Sequence, residues 1–176
     1  FWGGDTKEQN YHVAYENQKH AYDFVIRKDG ETHTGDPTKN ENYYAFGKDV
    51  LAPCDAKVVK VITGIEDNIP GELNTEEVAG NLVILETANK EYIVLAHLKK
   101  GATVVREGLF VRKGGLLGKS GNSGNSMEPH LHLSLQNTLD INSATAARIH
   151  FNRIYVHGEI KQDYLPVKGD VVKNRN

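Results

Sequence analysis

The residues best suited to chemistry lie in one short run, Pro129-His130-Leu131-His132-Leu133-Ser134-Leu135. Side chains alternate across a strand, so His130, His132 and Ser134 share one face and Leu131, Leu133 and Leu135 the other. The leucines would seat the strand on a core, and the two imidazoles would converge as a metal site requires. Asp23 adds a carboxylate in the middle of Ala21-Tyr22-Asp23-Phe24-Val25-Ile26. Asp is poorly suited to a strand interior, and burying its charge calls for a cation or a metal. His97 closes Glu91-Tyr92-Ile93-Val94-Leu95-Ala96-His97. A catalytic zinc takes three His or carboxylate ligands and keeps one position for water, whereas a structural zinc usually takes four and often uses Cys. The set here meets the first pattern with histidines left over for proton transfer, which favours a hydrolase.

These residues need elements to position them. Residues 1–19 have little periodicity and read as an irregular arm containing His12. After the strand over 21–26, residues 28–47 are rich in Asp, Gly, Thr, Asn and Tyr and read as a long functional loop. Residues 49–53 and 56–62 are β segments broken at Pro53, and 63–79 is a second polar loop. Residues 80–86 and 91–97 form a hairpin around 87–90. Short β pieces punctuated by glycine follow at 104–108 and 111–118. The small-residue loop Ser120-Gly121-Asn122-Ser123-Gly124-Asn125-Ser126 lacks the Gly-Lys-Ser of a phosphate loop, and its backbone N–H groups are expected to face a substrate peptide instead. Beyond Gln136, a short helix is expected at 144–148, a strand at 151–156 and a polar tail. Helix is scarce, so the fold class is mainly β, a compact antiparallel β-sheet domain with long loops.

Composition narrows the class. The chain has 176 residues, 39% hydrophobic and 25% charged, with a net charge of −2. That length suits one domain with a sizeable core, and the balance argues against nucleic-acid partners and against disorder. No apolar run is long enough to span a membrane. A chain that opens on Phe1 is compatible with a processed product whose signal or anchor has been removed. The single cysteine, Cys54, reads as a buried, inert thiol.

Taken together, Asp23 in Ala-Tyr-Asp-Phe, the segment Val50 to Val59, Gly80-Asn81-Leu82-Val83-Ile84, Leu95-Ala96-His97-Leu98, and Leu117 to His132 resemble the lysostaphin/LytM-type zinc metallopeptidases. The resemblance covers roughly residues 10–136 and keeps the family's motif order. It implies a β-sheet catalytic domain at 20–137 with a narrow groove, preceded by the arm at 1–19 and followed by an extension at 138–176 packed on the same domain. It implies endopeptidase action on peptidoglycan stem or cross-bridge peptides with Zn²⁺ as cofactor, in an extracellular or cell-envelope setting. By the same resemblance His132 and Asp23 match zinc ligands, and His130 and His97 match the active-site histidines.

The remaining ligand departs from the family pattern. A His four residues before the Asp is common there, but Lys19 holds that position and His20 stands three residues before Asp23. If the strand runs through His20, its ring and the Asp23 carboxylate point to opposite faces. His12 is free of that constraint and is the preferred third ligand, with His20 as the alternative. His33, His150 and His157 are expected on the surface or in packing roles. Tyr43 or Tyr44 could donate to an oxyanion or simply pack, and specificity is expected to reside in the 28–47 and 63–79 loops. An inactive relative that binds cell wall is the alternative function. Residues 104–118 are also similar in rhythm to biotin and lipoyl carriers, but no Met-flanked lysine sits at a hairpin tip.

Overall fold

A computed structural model describes residues 2–173. Its short strands follow the β-branched and leucine-rich runs, and its polar and glycine-rich stretches make the connections. In chain order they are β1 (Tyr22–Phe24), β2 (Asp49–Leu51), β3 (Ala56–Ile62), β4 (Asn81–Glu86), β5 (Tyr92–Leu98), β6 (Phe110–Val111), β7 (Leu116–Lys119), β8 (Leu131–Gln136), β9 (Ala146–Ala147), β10 (Phe151–Val156), β11 (Glu159–Tyr164) and β12 (Val172–Lys173). Among the described residues the helical content is two short 3₁₀ turns, Tyr11–Ala14 and Asn40–Asn42.

The main sheet runs β1-β8-β5-β4-β3-β6, every pair antiparallel. β9 continues the β1 edge of β8, pairing with Leu135 and Gln136 just past the residues that β1 covers. β2 and β7 form a separate ribbon, and β11-β10-β12 form a small third sheet. One face of the main sheet carries the principal core, in which Tyr22, Val83, Leu85, Ile93, Leu95 and Leu133 are buried together. The opposite face carries a smaller cluster of Leu82, Ile84, Val94 and Ala96, beside which the functional residues collect.

Three sequence expectations are corrected. The helix expected at 144–148 is absent; Ala146 and Ala147 pair with the end of β8, because an open ladder edge outweighs the local helix preference of alanine. The strand expected at 151–156 is present as β10, but the tail beyond it is not irregular: it turns at His157-Gly158, returns as β11 and adds β12 on the other edge of β10. β11 exposes most of its side chains to water, which is why its sequence carries little apolar alternation, whereas β10 buries Ile154 and Val156. Cys54 is half-buried at the rim of the core, and burial pushes its thiol pKa up.

The extension reaches back to the main sheet. Phe151 packs edge-on against Tyr22 and Phe24, and Arg148 makes a two-nitrogen pair with Asp5 in the N-terminal arm. Gly80 shows how tightly the connections close. It holds a left-handed backbone (φ +61°), and a β-carbon there would strike the Ser123 backbone. Gly30 is also left-handed (φ +87°), but open space surrounds it. Gly80→Ala is therefore expected to cost about 2–3 kcal/mol, against about 1 kcal/mol for Gly30→Ala, read by denaturant unfolding. Equal losses would show that the Ser123 approach is soft.

Candidate metal centre and active site

The site is built on a row of cross-strand neighbours. Asp23 on β1 lies opposite His132 on β8, and His132 lies opposite Ala96 on β5. Directly opposed residues project to the same face, so carboxylate and imidazole meet without help from any loop. His132 Nδ1 stands 2.9 Å from Asp23 Oδ1. Ala96 adds only a methyl group and leaves space over the row.

His12 reaches the same point from outside the sheet, and Asn10 brings it there. Asn10 is fully buried, and its side-chain amide donates to the carbonyls of Gly4 (3.2 Å) and Ala21 (3.0 Å). That orientation turns Asn10 Oδ1 toward His12, where it accepts from the backbone N–H (3.2 Å) and from Nδ1 (2.8 Å). An amide oxygen only accepts, so the ring proton lies on Nδ1 and the Nε2 lone pair faces the cluster. His12 Nε2 is 3.4 Å from Asp23 Oδ2. One donor atom each from His12, Asp23 and His132 lie within 4.8 Å of one another. Two imidazole nitrogens and a carboxylate oxygen around one point are a donor set that fits zinc.

His20 lies elsewhere. Its Nδ1 is 3.0 Å from Asp5 Oδ1, beside Arg148. The parity premise does not decide this, since β1 begins at Tyr22 and does not run through His20. The Asp5 pairing turns the ring away.

His130 and His97 flank the donors. His130 pairs with Gly121 in an isolated bridge just before β8, which keeps it on the face of His132; its Nε2 is 3.5 Å from Asp23 Oδ1. Its Nδ1 is held by the Glu128 carbonyl (2.8 Å) and the Ser126 hydroxyl (3.1 Å). His97 follows Ala96 and would face the core in a regular strand. Instead β5 carries one extra residue against β4, and His97 adopts a left-handed backbone (φ 59°). The bulge turns its ring onto the site face, 4.7 Å between centroids from His130 and 5.8 Å from His132. Its Nδ1 donates to the Ser123 carbonyl at 2.8 Å. In both rings Nδ1 is tied to backbone, and Nε2 is left to exchange a proton.

All five side chains are withdrawn from water, with relative exposures of 2% for His12, 3% for Asp23, 6% for His132 and 7% for His97 and His130. Burial pushes His12 down to about 4, against the pull of Asp23. Burial, reinforced by His130 and His132, holds His97 well below the imidazole range. Burial would lower His130 too, but Asp23 outweighs it and the pKa is raised. Burial would raise the Asp23 carboxyl; His130 and His132 more than offset that and hold it well below the carboxylate range.

Sequence reasoning missed Asn10 and Tyr11. The Tyr11 hydroxyl donates to Asp23 Oδ2 at 2.6 Å, and burial together with Asp23 raises its pKa. The Asn-x-His spacing beside an irregular turn was the available signal for Asn10. Tyr43 and Tyr44 lie elsewhere: the Tyr43 hydroxyl donates to Pro37 with its ring against His33, and Lys28 sits over Tyr44. His150 and His157 pair with Asp163 and Asp170 at the surface. The 120–126 loop does not offer its backbone to a substrate as expected; the N–H groups of Gly121, Asn122, Asn125 and Ser126 are taken by His97, Asp67, Val78 and Gly124. It works as a buttress for the two histidines.

A scan against family models matches residues 41–145 to "Peptidase family M23", more than half of the chain. The chain belongs to peptidase family M23. The matched segment includes His97, His130 and His132, while His12 and Asp23 precede it. No curated protein sequence matches the chain. Among solved structures, the M23 chain is similar to the catalytic domain of the antimicrobial peptidase lysostaphin from Staphylococcus simulans, at 22% identity over 71% of this chain and 85% of that one, TM-score 0.44. It is similar also to a zinc-containing peptidase from Vibrio cholerae (24% identity, 60% of this chain and 28% of that one, TM-score 0.43). A third is a putative glycyl-glycine endopeptidase LytM from Ruminococcus gnavus (21%, 58% and 38%, TM-score 0.43). The chain thus spans well under half the length of the last two.

Two outcomes follow from this M23 site. Because His97 holds a left-handed backbone, His97→Val is expected to cost about 1–2 kcal/mol more in thermal unfolding than His97→Asn, since a β-branched residue resists that conformation and Asn tolerates it. In metal-free protein the folded chain keeps His12 neutral where the unfolded chain would protonate it. This residue therefore withdraws stability as pH falls from about 6.5 toward about 4. Its ring Cε1–H signal in NMR should titrate near 4; a midpoint at about 6.5 would refute the burial argument.

Proposed function

We propose that this M23 chain is a zinc-dependent endopeptidase, with His12, Asp23 and His132 holding the ion and His97 and His130 handling protons. The substrates proposed are peptides of bacterial peptidoglycan, in the extracellular space or cell envelope. The observation that carries the reading is the convergence of three donors from three separate segments on one buried point, with a backbone-anchored imidazole on either side.

Zinc held there would supply a Lewis acid and lower the pKa of water from about 15.7 to about 7. The protein supplies the rest. Two hollows meet at the site, one of about 620 Å³ bordered by His97 and His132 and one of about 360 Å³ bordered by Asp23 and His130. Tyr11 and Asn125 border both. A peptide laid from one hollow to the other passes the donors with one anchored imidazole on each side. Nε2 of His97 and Nε2 of His130 can take up the proton of the attacking water and return one to the departing amine. With Nδ1 already donating to a carbonyl, each ring keeps its orientation through that exchange. Tyr11 holds Asp23 Oδ2 and so fixes the carboxylate plane. The glycyl-glycine name of one similar protein makes pentaglycine a natural first substrate to try.

Purified protein reconstituted with zinc should release peptides from peptidoglycan or cut pentaglycine, and a chelator should abolish the release. His12→Ala should lose both bound zinc and activity, while His20→Ala keeps both. Asn10→Ala should weaken zinc affinity by about 10–100-fold through misplacement of His12. His97→Ala and His130→Ala should retain zinc and lose about 10²–10⁴-fold in kcat. Cleavage that survives chelation, or zinc retained by His12→Ala and lost by His20→Ala, would overturn the assignment.

A further inference from the structure

The two hollows differ in charge. In the larger one Lys60 faces Asp140, and its floor is apolar, with Val94, Ala96 and Ile141. The smaller one is bordered by the cations Arg27 and Lys168 and by the carboxylates Asp23 and Glu128. Asp23 is committed to Tyr11 and three histidines, and Glu128 Oε2 accepts from the Thr32 hydroxyl at 2.8 Å. Neither cation has a carboxylate within ion-pair distance among the described residues. Arg27 Nη1 donates to the Gly30 carbonyl (3.3 Å); Lys168 Nζ donates to the Glu8 carbonyl (3.2 Å) and lies 3.7 Å from the centre of the Trp2 ring. Those neutral partners orient both cations without neutralising them.

The placement of Lys168 is built. Its backbone N–H donates to the Gly3 carbonyl at 2.9 Å, Trp2 pairs with Asp23 through two 3.1 Å backbone bonds, and the Trp2 ring packs edge-on against Tyr11. The cation at 168 is thereby registered to the Asp23 carboxylate through Trp2. It comes from the C-terminal extension, beyond the segment matched to the family model.

We propose that the smaller hollow is a carboxylate-binding subsite, in which Lys168 and Arg27 hold a carboxylate of the peptide next to the scissile bond. This rests on the reading that peptides bind across the site, but not on their being cut. The carboxylate could be an acidic side chain or a free chain terminus, which share the chemistry of a planar anion with two acceptor oxygens. A neutral polyglycine bridge leaves both cations unmet, so such a substrate is bound less well here than one carrying an acid.

The test measures binding separately from cleavage. Fluorescent Ala-Ala-Glu-Ala-Ala amide, its Gln analogue, and Ala-Ala-Gln-Ala-Ala with a free C-terminal carboxylate are titrated into the zinc-loaded full chain and into the metal-free chain, with anisotropy as readout. At least one carboxylate probe should bind about tenfold tighter than the neutral amide in both forms, with the advantage reduced by added salt. The Glu amide alone binding tightly identifies an internal acidic residue; the free acid alone identifies a chain end. Arg27→Gln with Lys168→Gln should erase the advantage without changing the affinity for the neutral probe, and Lys168→Arg should restore most of what Lys168→Gln removes. Arg27→Gln alone, at an exposed position, guards against misfolding from loss of the Trp2 contact. Equal binding of all three probes to the wild type, or an advantage that persists in the double variant, would overturn the subsite. Loss of cleavage with this preference intact would count against the peptidase reading alone.

Discussion

Asp23 is the group on which the rest of the site depends. A carboxylate 3% exposed on the edge strand of a sheet, covered by the N-terminal arm, is costly unless charge and hydrogen bonds compensate it. Its compensation comes from four side chains: Tyr11 and His12 from the arm, His132 from the neighbouring strand, and His130 from the approach to that strand. The demand of one buried anion therefore explains why residues far apart in the chain are drawn to one place. It also explains the divergent titration of the histidines. The His130 pKa rises beside Asp23, whereas His97, equally buried but beside other imidazoles, is held neutral.

The sheet performs the positioning with little conformational freedom to lose. Direct opposition of Asp23 and His132 comes from strand pairing itself, and the leucines on the reverse of β8 anchor that pairing to the core. Only His97 needs an exception to alternation, and it obtains one through a bulge and a left-handed backbone. Strain of that kind persists where the surroundings over-determine it. Here the Ser123 carbonyl fixes the ring, while Ser123 Oγ receives the Asn81 N–H and donates to the Leu98 carbonyl. The loop of small residues is thus a scaffold for two imidazoles, and its serines and glycines are small because they pass between strands.

The terminal segments complete the molecule around this centre. Asn10 closes the arm onto Ala21, Asp5 ties it to Arg148, and Lys168 caps Trp2. Of the two loops expected to carry specificity, the 63–79 loop lends Leu73, Val78 and Ala79 to the hollows. The 28–47 loop lends none; it acts through Thr32 on Glu128 and packs its tyrosines on itself. Local composition marks a loop as irregular but does not say which way it folds.

The sequence by itself determined the β architecture, the strands expected at 21–26, 56–62, 80–86, 91–97 and 129–135 to within a few residues of those observed, and the shared face of His130 and His132, because alternation and β-branched content are local properties of the backbone. It also pointed to the lysostaphin/LytM-type peptidases, through motifs on those strands and in the segments at 50–59 and 117–130 beside them. Tertiary structure alone decided that His12 stands with Asp23 while His20 turns to Asp5, that His97 leaves the core face, that Tyr11 bonds Asp23, and that Lys168 lies over the Trp2 ring. Those outcomes turn on a buried amide, a bulge and contacts between opposite ends of the chain. Such interactions link residues too distant in sequence for any local pattern to record them.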